Sequence, residues 1–472
     1  LTREQMFTSV GHRSATRQRL RIGASRDGRL RALLHDVEVA SSRVGTFVES
    51  AGRTTSYLFH CDHHAITHAL ARLDAPTPTA MRAPGEAPGT FALGCAMDEL
   101  AAACGLDPLD VLRRNHADVH NDGLPYSSKH LRACYDRGAE RFGWADRARA
   151  PRARRDGDEL VGWGVATASY PGIRVGSHAR VALRADGGIE VSAASHDLGT
   201  GTYTILTQIA ADALGVAAHA VRVRIGDTAL PRAPLSGGSA TAASVGPAVQ
   251  AAAREVRTAA LDLAVRDARS PLFGREPAAI DVVDGVLRAD GAGELTYAEA
   301  VRLSGGDALE RTASAEPGDE EDRYAFHSFG AQFVEVRVDE ELGRVRVTRC
   351  LGAFDAGRIL NPKTARSQMI GGIVWGISMA LCEETVRDER SGALINANLS
   401  DYHVAVNADV GEIDVLFVEE PDLVFNPLGA RGIGEIGITG VAAAIANAVY
   451  HATGVRVREL PITPDRFLAA AG

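Results

Sequence analysis

A single carboxylate lies in an unusual setting near the C-terminal end of the chain. The stretch GARGIGEIGITG, residues 429–440, contains five glycines, three isoleucines and one acid, Glu435. Flanking glycines let the backbone approach a ligand closely, and the isoleucines would exclude water. Loss of water disfavours the charged form of a carboxylate, a condition that suits a general base. The alternative is an acid that stabilises the start of the following helix, and the local residues do not decide between the two.

Two glycine-rich stretches have the residue types of an anion site. SHDLGTGTYTILTQ (195–208) is typical of a strand end, a tight turn and a helix start, and Gly199 and Gly201 would let a ligand approach the backbone. APLSGGSATAASVG (233–246) repeats the pattern with serine and threonine hydroxyls. Unpaired amides and the helix dipole favour phosphate at such positions. Neither stretch is a P-loop or a G-x-G-x-x-G motif, and a capped turn or a closely packed helix remains an open alternative for each.

A histidine-rich segment raises the question of zinc. FHCDHHAITH (59–68) has four histidines and Cys61, but their spacing matches no standard site, so a surface location is the preferred interpretation. The six cysteines are scattered without a C-x-x-C pair, which argues against a zinc ribbon or an iron–sulfur cluster held by this chain.

The elements that must position these residues alternate between strand pairs and helices. Alternation of apolar and polar residues predicts hairpins, and helical spacing with glycine or proline at the ends predicts helices. The predicted hairpins are 18–40, 181–195 and 331–357. The predicted helices are 90–105, 107–116, 361–384 and 440–454, and 196–215 is predicted as a glycine-rich turn that leads into a helix. Strands that come in antiparallel pairs between helices indicate an α+β protein.

Length and composition limit the alternatives. A chain of 472 residues favours two or three domains, and the charged, proline-containing segment 145–159 is typical of a linker. We predict one domain over 1–130, a linker over 131–160 and a second domain over 161–472. The net charge of −9 gives no reason to expect nucleic acid or an anionic membrane as partner. No apolar run approaches the roughly 18–20 residues of a membrane span.

Several of these stretches together resemble the molybdenum-binding subunit of the xanthine dehydrogenase/aldehyde oxidase family. The resemblance is strongest to bacterial aldehyde oxidoreductase subunits that carry molybdopterin cytosine dinucleotide. Each motif alone is weakly specific, but all five occur in the family's order. They are MRAPGEAPG (81–89), GTGTYT with the following glutamine (199–208), SGGS and AASVG (236–246), NPKTARSQMIGGIVWG (361–376) and ARGIGEIG (430–437).

The resemblance implies roles for individual residues. Glu435 would be the catalytic base, and Arg82 would face the substrate pocket, where a cation stabilises developing negative charge. An ion pair between Arg82 and Glu86 is the structural alternative. The metal would be held by the pterin dithiolene, so no protein ligand is implied. The positions that would contact the cofactor are Arg114, Gly199, Thr200, Gly201, Thr202, Gly238, Ser239, Thr241 and Gln368.

The resemblance also implies an activity and partners. It implies oxidation of aldehydes to carboxylic acids with water-derived oxygen, and electron transfer to partner subunits that hold [2Fe–2S] clusters and FAD in a heterotrimer. Hydroxylation of an N-heterocycle, such as an isoquinoline or a purine, is the alternative within the family. A truncated, non-catalytic subunit is the alternative outside it. No cysteine-bearing loop of the carbon monoxide dehydrogenase type lies near residues 81–90, which disfavours that branch of the family.

The family's fold is two elongated molybdopterin-binding domains of mixed and antiparallel sheets with packed helices. Family members carry a further N-terminal part with a glycine-rich loop over the cofactor, and this sequence does not contain it. We therefore expect the first domain to be incomplete here, as a fragment or as one half of a split subunit. A cytoplasmic location is expected, with the periplasm as the alternative.

Overall fold

The computed structural model describes all residues from 1 to 472. The helices are α1 Arg3–Ser9, α2 Glu86–Cys104, α3 Pro108–Arg114, α4 Leu131–Phe142, α5 Thr202–Leu214, α6 Thr241–Arg266, α7 Tyr297–Leu303, α8 Pro362–Leu381, α9 Val441–Thr453 and α10 Pro464–Ala471. The strands are β1 Thr16–Ala24, β2 Leu30–Ser42, β3 His63–Leu73, β4 Arg155–Asp156, β5 Glu159–Pro171, β6 Ser177–Arg184, β7 Ile189–Ser192, β8 Val221–Arg224, β9 Asp281–Val283, β10 Val286–Arg288, β11 Glu294–Thr296, β12 Ala308–Ala315, β13 His327–Asp339, β14 Arg344–Asp355 and β15 Glu412–Val418.

The strands form four sheets, which confirms the α+β class. Their orders are β1-β2-β3, β15-β14-β13-β5-β4, β12-β6-β7-β8 and β11-β10-β9. The hairpins β1–β2, β6–β7 and β13–β14 lie where the sequence predicts them. Three pairings are parallel, namely β2–β3, β7–β8 and β14–β15, so three of the four sheets are mixed, as the resemblance implies. Periodicity within one strand does not show which strand lies beside it, so sequence patterns could not reveal these pairings.

The predicted linker at 131–160 contains a helix over its first part. Helix α4 buries Leu131, Cys134, Tyr135, Gly138 and Phe142, one face of a helix. A side chain at Gly138 would overlap the Phe333 ring of β13, so the helix lies directly on the large sheet. The charged residues of the outer face concealed this apolar spacing. The domain limits themselves stay a prediction.

Helix α9 lies unusually close to the large sheet and fixes the segment before it. At Gly162 and Gly164 of β5, a Cβ atom would overlap the carbonyl oxygens of Ala448 and Ala444 on α9. Such contact needs glycine on the strand and alanine on the helix. The segment Ile436–Thr453 is apolar enough by composition to cross a membrane, but 94% of it is buried inside the protein. It is therefore a core helix, and it holds the end of the 429–440 stretch against the sheet.

Candidate functional site

All five of the motif stretches named above line one pocket. Its volume is about 400 Å³, and it lies between the starts of α5, α6 and α8 and the loop 429–437. From these stretches the lining includes Arg82, Thr200, Thr202, Ser239, Thr241, Gln368 and Glu435. Segments far apart in the chain therefore meet at one place, and the pocket is the candidate active site.

Glu435 is held at the pocket wall by backbone amides from two other motifs. Its Oε2 accepts a hydrogen bond from Ala83 N–H at 2.5 Å, and its Oε1 accepts one from Gly238 N–H at 3.1 Å. The Glu435 N–H donates to Ser239 Oγ at 3.0 Å. Glu435 is half-buried, and it is the only acid that lines the pocket. The carboxylate thus has a fixed orientation and an open path to a bound molecule.

The isoleucines around Glu435 do not all shield its carboxylate from water, as the sequence suggested. Only Ile433 lines the pocket, whereas Ile436 and Ile438 are buried in the core beneath it. Water is therefore excluded from one side of the carboxylate and not from all sides. The structure gives no support to the alternative role as a helix-start acid. Glu435 occupies the N-cap position of the short 3-10 turn, but its side chain makes no capping hydrogen bond, and the N-cap of α9 is Gly440.

Arg82 connects two motifs that lie on opposite sides of it. Its Nε donates to the Gly434 carbonyl at 2.7 Å, and its Nη2 donates to the Gln368 carbonyl at 2.8 Å. The alternative that Arg82 pairs with Glu86 was wrong, because Glu86 pairs with Arg53 at 2.9 Å. Arg82 lines the pocket, so a cation lies beside Glu435, as the sequence predicts. The contacts to the two carbonyls could not be read from the sequence.

The first glycine-rich turn already holds an anion that belongs to the chain. Asp197 Oδ1 accepts hydrogen bonds from Gly199 N–H at 2.8 Å and from Thr200 N–H at 3.0 Å. The amides of this turn are therefore not free for a phosphate. The Thr200 and Thr202 side chains still line the pocket, with their hydroxyl oxygens 3.2 Å apart. The signal for Asp197 was an aspartate just before Gly-Thr-Gly, an arrangement typical of a carboxylate that accepts from the amides that follow it.

In the second glycine-rich turn the Gly238 N–H donates to Glu435, but the helix that follows the turn begins at the pocket without a side-chain cap. Helix α6 has 26 residues, and no side chain caps its first turn. Ser239 has a positive φ of 59°, which a residue other than glycine rarely adopts. Because the helix start is uncapped and lies among Ser236, Ser239 and Thr241 at the pocket wall, an anion would be stabilised there.

Two other predicted features lie away from the pocket. Arg114 is not a lining residue; it ends α3 and donates a hydrogen bond to the Asp27 carbonyl in the turn between β1 and β2. The structure therefore gives no support to Arg114 as a cofactor contact. The histidine-rich segment leads into β3, and the structure contains no group of three or more histidine, cysteine or acidic residues arranged to hold a metal.

The lining fits a polyanionic group that brings its own metal ligands. Three arginines line the pocket, Arg82, Arg358 and Arg431, against the single acid Glu435. Arg431 is fully buried and pairs with Asp355 at 2.6 Å and Asp422 at 3.1 Å, so its role is to hold the 429–437 loop. No cysteine or histidine lines the pocket. A metal here would therefore have to arrive with a ligand set of its own, as it does in a pterin dithiolene.

Comparison with known proteins identifies the group that this site accepts. Residues 1–116 and residues 137–411 each match a family described as molybdopterin cofactor-binding domain. The chain is 39% identical over 470 residues to the aldehyde oxidoreductase molybdenum-binding subunit PaoC of Escherichia coli K12, covering 99% of this chain and 62% of that subunit. It is 30% identical over 508 residues to a xanthine dehydrogenase molybdenum-binding subunit of E. coli O157:H7, covering 99% and 63%.

The fold agrees with the sequence match. The structure superposes on the crystal structure of quinoline 2-oxidoreductase from Pseudomonas putida 86 with a TM-score of 0.88 and 24% identity, over 100% of this chain and 64% of that one. The chain thus spans under two thirds of the length of these relatives. The matched domains, the order of the five motifs and their meeting at one pocket lead to one conclusion: the chain belongs to the molybdopterin-binding subunits of the xanthine dehydrogenase/aldehyde oxidoreductase family.

Proposed function

We propose that this chain is the molybdenum-binding part of an enzyme that oxidises aldehydes to carboxylic acids with oxygen from water. The observation that carries the proposal is the placement of Glu435, a fixed carboxylate that is the only acid in a pocket lined also by arginines, hydroxyls and apolar side chains. Support comes from the similarity to PaoC, whose name assigns it to an aldehyde oxidoreductase.

The reaction converts an aldehyde and water into a carboxylic acid, two protons and two electrons. A bound molybdenum–pterin group supplies the two-electron redox chemistry. Glu435 takes up a proton as the new carbon–oxygen bond forms, because its two oxygens are held toward the pocket by the Ala83 and Gly238 amides. Arg82 places positive charge beside the reacting carbonyl, where negative charge develops.

The form of the cofactor and the partner subunits are part of the same proposal. We propose the cytosine dinucleotide form of molybdopterin, with its phosphates stabilised by the uncapped start of α6 and the hydroxyls beside it. Partner subunits with [2Fe–2S] clusters and FAD would accept the electrons in a heterotrimer. We propose a cytoplasmic location for the complex. The alternative is the periplasm, which the complex would reach through an export signal on a partner subunit.

The test is to measure molybdenum and released nucleotide per chain, on protein purified together with its native partners. Near-stoichiometric molybdenum with CMP supports the cytosine dinucleotide enzyme, and an aldehyde panel then tests the reaction. Molybdenum with a different nucleotide contradicts the proposed cofactor form. An assembled complex without molybdenum contradicts the catalytic role and favours a non-catalytic subunit.

Arg82→Ala should reduce kcat/KM for every substrate and should reduce it most for substrates with a polar group beside the reacting carbon. The general loss follows from the two lost carbonyl contacts, and we expect it to be on the order of 10-fold to 100-fold. The measurement is kcat/KM over matched polar and apolar aldehydes. Arg358→Ala is the control, because Arg358 also lines the pocket but is half exposed. Equal losses for all substrates would contradict a role of Arg82 toward the substrate.

A further inference from the structure

The loop between residues 82 and 86 has a backbone that must be held in place. Ala83 is fully buried and has a positive φ of 55°, and Gly85 has a φ of 84°. A left-handed conformation is strained for a residue other than glycine, because its Cβ atom crowds the backbone. This conformation directs the Ala83 N–H at Glu435 Oε2, 2.5 Å away. Some other contact must therefore offset the strain.

Two charged residues hold the loop on either side of Ala83. Glu49 Oε1 accepts a hydrogen bond from Gly85 N–H at 2.5 Å, and the Glu49 side chain is fully buried. Arg13 Nη2 donates to the Arg82 carbonyl at 2.5 Å. The two side chains also face each other, with Arg13 Nη1 3.6 Å from Glu49 Oε1. The Arg82–Ala83 peptide and the Pro84–Gly85 peptide thus each have a charged partner.

The buried pair of Arg13 and Glu49 does little to stabilise the fold, which indicates that its role is to position the loop. Arg13 Nη1 and Glu49 Oε2 are buried and have no hydrogen-bond partner. Burial raises the pKa of Glu49, and the Gly85 amide and the Arg13 guanidinium oppose that rise. A buried ion pair with unsatisfied atoms contributes little net stability. What it does provide is a fixed position for the two peptide groups that it contacts.

We infer that Arg13 and Glu49 are positioning residues for Glu435, acting through the 82–86 loop. Neither residue lines the pocket. Without them, Ala83 relaxes to a negative φ, its amide turns away from Glu435, and the carboxylate loses one of its two fixed contacts. The inference rests on the proposed role of Glu435 as general base, but the position of the loop can be measured without any turnover.

The experiment measures hydrogen exchange of single amides in the 82–86 loop, together with kcat and molybdenum content, on the protein isolated with its native partners. The Ala83 amide is the informative one, because its acceptor is Glu435, which the substitutions leave intact. In Glu49→Ala we expect Ala83 to exchange about tenfold faster or more, and kcat to fall up to about 100-fold. Molybdenum content should stay at the wild-type level. In Glu49→Gln, which keeps an oxygen for the Gly85 amide, both values should return to within about threefold of wild type.

A matched control separates positioning from general loss of stability. Asp98→Asn removes a buried carboxylate from α2, the helix that follows the loop, where Asp98 pairs with Arg456 at 2.6 Å. It should lower the melting temperature and leave both Ala83 exchange and kcat unchanged. Three results would each overturn the inference. They are an Ala83 exchange rate in Glu49→Ala equal to that of the wild type, equal losses of kcat in Glu49→Ala and Asp98→Asn, and loss of molybdenum in Glu49→Ala. If the wild-type protein carries no molybdenum, the proposed function fails, and the exchange measurement alone still decides whether Glu49 positions the loop.

Discussion

Glu435→Gln should reduce turnover by on the order of 10³-fold while the cofactor stays bound, since an amide cannot accept the proton that the reaction releases. The pocket's other lining groups are cations, hydroxyls, two side-chain amides, glycines and apolar side chains, so none of them replaces the lost base. The measurement is single-turnover reduction by an aldehyde, beside molybdenum content. Both the turnover rate and the molybdenum content are needed. A loss of turnover can be assigned to the proton-transfer step only if the variant retains its molybdenum.

The substitution also changes hydrogen bonding at the site, and this sets the size of its structural effect. Both Glu435 oxygens accept from backbone amides, whereas glutamine offers one oxygen and one NH₂ group. The NH₂ group should face Gly238, whose contact is the longer at 3.1 Å, and the mismatch should cost about 1–3 kcal/mol. That cost lowers the melting temperature slightly and does not release the cofactor.

Glu86→Gln is the matched control for Glu435→Gln. Glu86 is a fully buried carboxylate at the end of the 82–86 loop. It pairs with Arg53 and does not line the pocket. Its substitution should leave turnover within a few-fold of wild type, because its carboxylate does not reach the substrate. If Glu435→Gln turns over at a rate similar to that of Glu86→Gln, Glu435 is not the base. If Glu435→Gln instead loses molybdenum, Glu435 is a structural residue of the pocket.

The sequence predicts the parts of this site that depend on short segments. The glycines around Glu435, the helix starts at α5, α6 and α8 and the three main hairpins follow from local spacing, turn residues and caps. Their order in the chain was enough to resemble a family, and the match over residues 1–116 and 137–411 confirms that family. Local chemistry and motif order therefore carry the identification.

Contacts between distant segments could not be predicted from the sequence. Arg82 reaches the Gly434 carbonyl across 352 positions and the Gln368 carbonyl across 286 positions. For Gly199 the sequence left open an anion site or a capped turn, and Asp197 accepts hydrogen bonds from those amides. The resemblance implied Arg114 near the cofactor, and in the structure that side chain donates to a carbonyl in a neighbouring turn. The contacts of Arg82 and Arg114 join distant segments, and no local pattern encodes such a partner, whereas the Asp197 contacts are local.

Gly432→Ala should destabilise the protein and empty the pocket. A Cβ atom at Gly432 would overlap the Ser239 carbonyl oxygen. This backbone atom cannot move alone, because two hydrogen bonds tie its segment to Glu435. The Ser239 hydroxyl accepts from Glu435 N–H, and Gly238 N–H donates to Glu435 Oε1. Separating these segments should cost on the order of 3 kcal/mol and break the contacts that fix Glu435. We expect a lower melting temperature, little bound molybdenum and no measurable turnover.

Gly434→Ala, two residues further along the same loop, tests whether the effect comes from this one contact. A Cβ atom at Gly434 would lie 3.6 Å from Ser239 Oγ, an ordinary van der Waals distance. Neither glycine has a positive φ, so alanine adds no backbone strain at either position. Gly434→Ala should therefore keep the wild-type melting temperature of the cofactor-free protein, whereas Gly432→Ala should not. Equal melting temperatures for the two variants would show that the loop moves freely, and the fixed orientation proposed for Glu435 would then be wrong.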